Sequence, residues 1–238
     1  MQVDILAIGA HPDDVELGCS GTILKHIAAG YSAGIIDLTK GELGTRGSVK
    51  SRMEEVKASS KILAVKHREN LAFKDGFFTN DKQHRLELIR IIRKYRPAIV
   101  LGNSVYDRHP DHGTAAALIR DACFLSGLSK IETKLNGKKQ TAHRPKAVYH
   151  YIQALHVVPD LVVDITNHFE TKLKAILAFK SQFYNPKSDE KNTFISSPEF
   201  LEFVKARALH FGVPAGVKYA EGFTANRTIG VNDLMKLI

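Results

Sequence analysis

The tripeptide His-Pro-Asp occurs twice in the chain, at His11-Pro12-Asp13 and at His109-Pro110-Asp111. The first copy runs on into Asp14 and the second into His112, so together they hold three histidines and three carboxylates. Imidazole and carboxylate are donors that zinc accepts, and a catalytic zinc site commonly takes three protein ligands and keeps a position for water. Such a set leaves a carboxylate over to activate that water. In the first copy Pro12 stiffens the exit from His11, and the adjacent Asp13 and Asp14 can point to different tasks. In the second, Pro110 suits the first position of a helix, where its missing N–H costs nothing. His109 and His112 then lie three apart and can face one site, with Asp111 placed to orient an imidazole.

Each of these groups has an ordinary alternative. An aspartate that follows a strand is usually a helix cap, and a lone histidine is usually one more polar residue. Two copies of one tripeptide, each at the same kind of junction, weigh against coincidence. Spacing alone leaves open which carboxylate and which of His109 and His112 would bind an ion. Cys19 lies close to the first copy, but a small buried thiol near a helix start is its better reading.

The motifs need strands to carry them to one place. Apolar runs predict strands over Val3–Gly9, Ala33–Thr39, Glu69–Phe73 and Ala98–Gly102, and helical patterns fall between them at Ser20–Ala29, Ser48–Leu63, Lys82–Tyr95 and Pro110–Leu125. Strands rich in Ile, Val, Leu and Ala that alternate with helices imply a mostly parallel sheet with helices on both faces. The expected fold class is therefore α/β, a Rossmann-like doubly wound arrangement in one domain spanning residues 1–238. In that architecture ligands bind beyond the carboxyl ends of the strands. Both His-Pro-Asp copies follow a strand there, and they meet if the two strands are neighbours. Further on, Lys130 to Arg144 is polar and reads as a mobile surface loop or excursion. Two more strands are expected at Ala147–Ile152 and Leu161–Ile165, and helices at Asn167–Phe179 and Pro198–Phe211. Tyr219-Ala220-Glu221-Gly222-Phe223 is a late strand or a cleft-lining segment.

At 238 residues, 44% hydrophobic and 25% charged, the chain is long enough for one well-buried α/β core. No uncharged apolar stretch approaches the length that spans a bilayer, and the N-terminus lacks a secretory pattern. Two distant cysteines without that context are expected to stay reduced, which favours the cytoplasm. The net charge of +9 invites a nucleic-acid reading. The basic residues are scattered, however, and no aromatic-and-basic platform accompanies them, so neither a nucleic acid nor a membrane is an expected partner. The loop Lys40 to Gly47 lacks the Lys-Ser/Thr ending of a phosphate-binding loop. It reads as a flexible substrate cover beside the helix that starts near Arg52.

Ala10-His11-Pro12-Asp13-Asp14-Val15-Glu16 with His109-Pro110-Asp111-His112 resembles the zinc-dependent deacetylases of N-acetylglucosamine derivatives, the LmbE-like or PIG-L-type proteins. The resemblance continues through Gly41-Glu42-Leu43-Gly44-Thr45-Arg46-Gly47 and Arg52 to Glu55, and the Tyr219–Phe223 segment is similar to the bacillithiol-biosynthesis branch. It implies zinc held by His11, Asp14 and His112, with Asp13 as the general base. His109 would be the protonated partner that stabilises the oxyanion or protonates the leaving amine, and Asp111 would hold an imidazole in place. Arg52 would help hold the sugar. Arg108 either reads an anionic aglycone or lies in solvent, and Tyr184, Tyr219 and Glu221 are cleft candidates of equal ambiguity.

The expected function is zinc-dependent hydrolysis of the N-acetyl group of an N-acetylglucosaminyl compound, foremost N-acetylglucosaminyl-malate, giving acetate and a free amine. N-acetylglucosamine itself or short chitin oligomers are alternative substrates. Relatives of this kind also imply a homo-oligomer, plausibly a hexamer. Two rival readings stand beside this one: a metal amidase for another acylated amine, and a metal-containing binding protein without turnover. A pure binder has no need of the spare carboxylate at Asp13.

Overall fold

The computed structural model describes residues 2–186 and 188–237. In chain order the elements are β1 (Ile5–Gly9), α1 (Asp14–Ala28), β2 (Ala33–Thr39), α2 (Val49–Ile62), β3 (His67–Phe73), α3 (Lys82–Tyr95), β4 (Ile99–Gly102) and α4 (Pro110–Leu125). There follow β5 (Lys134–Leu135), β6 (Lys138–Lys139), β7 (Ala147–Tyr151), β8 (Leu161–Asp164), α5 (Phe169–Leu177), α6 (Pro198–Gly212) and β9 (Ala220–Ala225). Seven strands form one sheet in the order β3-β2-β1-β4-β7-β9-β8. The pairings from β3 across to β7 are all parallel, while β9 runs antiparallel to both β7 and β8.

Alternate residues of β1 feed two cores, one on each face of the sheet. Leu6 and Ile8 pack with Leu88, Ile91 and Ile92 of α3 and with Leu118 and Ile119 of α4. Ile5 and Ala7 pack with Val15 and Ile23 of α1 and with Ala175 of α5. This is the period-two signature of a strand buried on both sides, and it gives the mostly parallel sheet covered by helices that the apolar runs predict. The chain leaves β1 toward β2 and β3 on one side, and β4 and β7 lie on the other. The order therefore reverses between β1 and β4, the position where doubly wound sheets open a crevice.

Two expectations are corrected. Helix α1 begins at Asp14 rather than Ser20, with a kink at Cys19 (φ −146°, ψ 15°). Gly18 and Gly21 of this helix both serve close approach. A Cβ on Gly18 would stand 2.1 Å from the Tyr151 ring, and one on Gly21 would stand 2.8 Å from Ile165. The segment 130–144 is not a loose excursion. It holds the β5–β6 hairpin, turned by Asn136 (φ 49°) and Gly137 (φ 77°), both left-handed as a tight hairpin turn requires. Buried Arg93 ties down the chain leading into it by donating to the carbonyls of Ser126, Leu128 and Ile131. Of its two readings, Tyr219–Phe223 takes the late strand rather than the cleft lining. It enters β9, where Glu221 is buried, accepting from the Gly21 and Thr22 amides and from Lys172 Nζ, while Tyr219 stacks on Phe169. Tyr184 is 43% exposed.

Candidate metal and catalytic centre

Parallel pairing of β1 with β4, in the register Ile5↔Ile99 to Ala7↔Leu101, sends both His-Pro-Asp copies out of the sheet side by side. They enter a cleft of about 320 Å³ lined by His11, Asp13, Asp14, His109 and His112, with Arg52 and Arg108 also in its wall. Single ligand nitrogens of His11, His109 and His112 lie within 4.8 Å of one another. Asp14 stands beside this group, its Oδ1 3.1 Å from His112 Nε2 and its Oδ2 3.6 Å from His11 Nδ1. Burial favours protonation of the Asp14 carboxyl, but the charge on His112 and the contact with His11 hold it well below the usual carboxylate range.

Asp13 does not cap the helix that follows it. Its side chain makes no capping hydrogen bond, and its backbone has φ 129°, a conformation that L residues rarely adopt. Strain of this kind persists where the surroundings demand it and gathers at functional sites. The Asp13 carboxyl is 3.5 Å from Arg52 Nη1. Burial pushes its pKa up to about 7, with Arg52 opposing the rise and Asp14 adding to it. A carboxylate poised near neutrality is suited to accept and return a proton.

His109 stands at the start of α4, and its Nδ1 accepts a hydrogen bond from the Asp111 amide at 3.2 Å. In the neutral ring the proton then belongs on Nε2. Burial lowers the pKa of His109, and the neighbouring charges on His11 and His112 lower it further. The ring therefore presents its Nε2 hydrogen as the group free to meet a substrate. The Asp111 carboxylate does hold an imidazole, that of His11, with Oδ2 3.2 Å from Nε2. The same oxygen accepts from the Gly76 amide at 2.9 Å.

Arg52 reaches the site, with its guanidinium bonded to the Pro12 carbonyl at 3.1 Å as well as facing Asp13. Gly41 and Gly44 let the loop after β2 lie directly against it, since a Cβ at either would stand 3.1 Å from a guanidinium nitrogen. That loop is pinned rather than free. Leu43 N donates to Asp75, Arg46 to the Ser181 carbonyl and Ser188, and Gly47 N to Glu190. Arg108 stands at the exposed mouth with its guanidinium 4.4 Å over the Phe194 ring, which also lines the cleft.

Two carboxylates escape the sequence reading. Asp75, in the turn after β3, places Oδ1 3.0 Å from His11 Nε2. Asp107 places Oδ2 2.5 Å from His112 Nδ1, and its Oδ1 accepts from the Ala154 and Leu155 amides. Both follow parallel strands and so stand at the ligand-binding edge, which is the one signal that marks them. Asp107 keeps a hydrogen on His112 Nδ1, so Nε2, which faces Asp14, is the atom that gives up its proton when an ion binds. In Asp107→Asn the amide can still accept from Ala154 and Leu155, but the group facing His112 becomes a donor and reverses the tautomer. Metal affinity in a chelator-competition titration is expected to fall by about 10–100-fold. Unchanged affinity would remove Asp107 from this role.

The residues present fit a zinc-like ion. Imidazole nitrogens and a carboxylate oxygen converge, His11 and His112 are each backed by a carboxylate, and a further carboxylate stands by. The GlcNAc-PI de-N-acetylase (PIG-L) family model matches residues 6–123. Diacetylchitobiose deacetylase from Thermococcus kodakarensis is 33% identical over 228 residues, covering 92% of this chain and 81% of the relative. A probable N-acetyl-alpha-D-glucosaminyl L-malate deacetylase 2 from Bacillus anthracis is 25% identical over 205 residues, 80% of this chain and 86% of the relative. Among solved structures, the conserved protein TT1542 from Thermus thermophilus superposes with a TM-score of 0.85 at 34% identity, covering 97% of this chain and 98% of that one.

Proposed function

The chain belongs to the PIG-L family of GlcNAc-PI de-N-acetylases and is a deacetylase, and from that premise we propose that it hydrolyses the N-acetyl group of an N-acetylglucosaminyl glycoside with a zinc ion held by His11, Asp14 and His112. The observation that carries this reading is the meeting of the two His-Pro-Asp loops at one crevice, with Asp13 buried beside the imidazoles. When bound, the ion supplies a Lewis acid that acidifies water and polarises a carbonyl. Asp13 takes a proton from the water that attacks the acetyl carbon. His109 donates its Nε2 hydrogen to the oxygen that gains charge. Arg52 holds Asp13 in place. The C–N bond then breaks as the amine nitrogen takes the proton from Asp13, releasing acetate and the free amine.

For the aglycone the proposal is malate. The exposed guanidinium of Arg108, stacked on Phe194 at the mouth of the cleft, offers forked donors to a carboxylate. A second N-acetylglucosamine is the rival, favoured by the 33% identity to a diacetylchitobiose deacetylase. A panel of N-acetylglucosaminyl-malate, diacetylchitobiose and N-acetylglucosamine, assayed for acetate with zinc-loaded and chelator-stripped protein, tests both levels. Arg108→Ala is expected to raise KM for the malate glycoside by about 10-fold, a loss typical of one charged hydrogen bond, and to leave N-acetylglucosamine unaffected. Equal KM changes for all three compounds would exclude the carboxylate role, and full activity after stripping would exclude the metal.

A further inference from the structure

The hydrogen bonds around Asp14 determine more than its charge. A carboxylate has about four lone-pair positions, two on each oxygen. Asp14 Oδ2 accepts from the His11 amide at 2.9 Å and from Asn103 Nδ2 at 2.9 Å, which fills both of its positions. Asp14 Oδ1 accepts from Gln153 Nε2 at 2.9 Å, and its second position faces only His112 Nε2 at 3.1 Å, the contact that an ion bound to both groups would replace. We propose that Asn103 and Gln153 are positioning residues that make Asp14 a one-point ligand, offering the ion a single oxygen beside His112 and so holding its coordination number low.

The fold delivers this pair by strand order. Asn103 directly follows β4 and Gln153 closely follows β7, and β4 lies between β1 and β7. The two amides are 0% and 4% exposed and are bonded to each other, Asn103 Nδ2 to Gln153 Oε1 at 3.0 Å. Asn103 is also oriented from behind, its Oδ1 accepting from the Ala10 amide at 2.8 Å. Gln153 is held through its backbone carbonyl, which accepts from Arg207 of α6. With Asn103 Oδ1 and Gln153 Oε1 both engaged as acceptors, each amide must turn its NH₂ toward Asp14, so neither can flip to present an oxygen. Amide side chains suit this task because they are neutral donors that neither compete with the carboxylate for the ion nor change its charge. A carboxylate confined to one oxygen favours the four- or five-coordinate geometry of zinc over the larger oxygen shells of calcium.

This inference rests on the reading of Asp14 as a ligand, and the test separates the two. Cobalt(II) is titrated into the metal-stripped full chain, its visible bands reporting coordination number, and zinc affinity is measured by chelator competition. Gln153→Met keeps length but removes the donor, reopening a position on Oδ1. Asn103→Asp keeps the acceptor for Ala10 and removes the donor to Oδ2. Either variant is expected to weaken zinc binding by about 10–100-fold and to shift cobalt toward weaker, higher-coordinate bands, at a metal-free thermal midpoint near that of the unaltered protein. If one variant fails to fold, the other decides. Wild-type zinc affinity and cobalt bands in a folded variant would overturn the inference. Wild-type cobalt binding in Asp14→Asn would instead overturn the ligand reading beneath it.

Discussion

Asp13→Asn is expected to lower the turnover number for acetate release by about 10²–10⁴-fold, the usual contribution of a general base, while the variant keeps its zinc. The substitution preserves shape, and asparagine tolerates positive φ better than most residues, so the backbone at φ 129° is respected. Arg52 keeps its bond to the Pro12 carbonyl when its charged partner disappears. What the variant loses is the group that takes a proton. In the unaltered protein, burial brings that group near pH 7 against the opposing charge of Arg52. The measurement is acetate release per zinc bound, with metal content and thermal unfolding followed alongside. Near-normal turnover would assign the base elsewhere. Loss of zinc together with activity would make Asp13 a ligand and return the base role to another carboxylate.

The reason this centre is legible in sequence is that its chemistry is written twice. A single aspartate after a strand means little, but His-Pro-Asp at the ends of two apolar runs marks two strand tips. In a doubly wound sheet the remaining question is adjacency, which the β1–β4 pairing answers. Asp75, Asp107, Asn103 and Gln153 carry no such mark. Each is one polar residue in a turn, and only the packing shows that its side chain points inward. The start of α1 was hidden for the opposite reason. Gly18 weakens a helix on propensity grounds, yet here it admits Tyr151 against the helix backbone, a tertiary demand that no local pattern announces. The loop after β2 reads as flexible from its glycines, whereas the bonds from Leu43, Arg46 and Gly47 that tie it down all reach residues far along the chain.

Metal binding itself is expected to be steeply pH-dependent. In the metal-free site, burial alone would keep His11 and His112 neutral, but the surrounding carboxylates outweigh it. Asp111, Asp14 and Asp75 raise His11 well above its ordinary value, and Asp14 with Asp107 raises His112 to about 9. An imidazole must lose a proton to bind an ion, so at pH 7 each zinc bound should release about two protons. Below pH 9 the apparent affinity then falls by about 10-fold for each unit of acidification through His112, and more steeply where His11 is protonated as well. The sign for folding is the reverse. A raised histidine pKa stabilises the metal-free protein fully below about 6.5, and that contribution is lost as pH rises through about 9. Metal-free protein should therefore be less stable at pH 9.5 than at 6.5, while the stabilisation gained from a fixed zinc concentration grows over the same interval. Calorimetric titration at pH 7 in buffers of different ionisation enthalpy counts the protons directly. A count near zero would mean that both imidazoles are already neutral, and the carboxylates around them would then serve to aim the rings rather than to charge them.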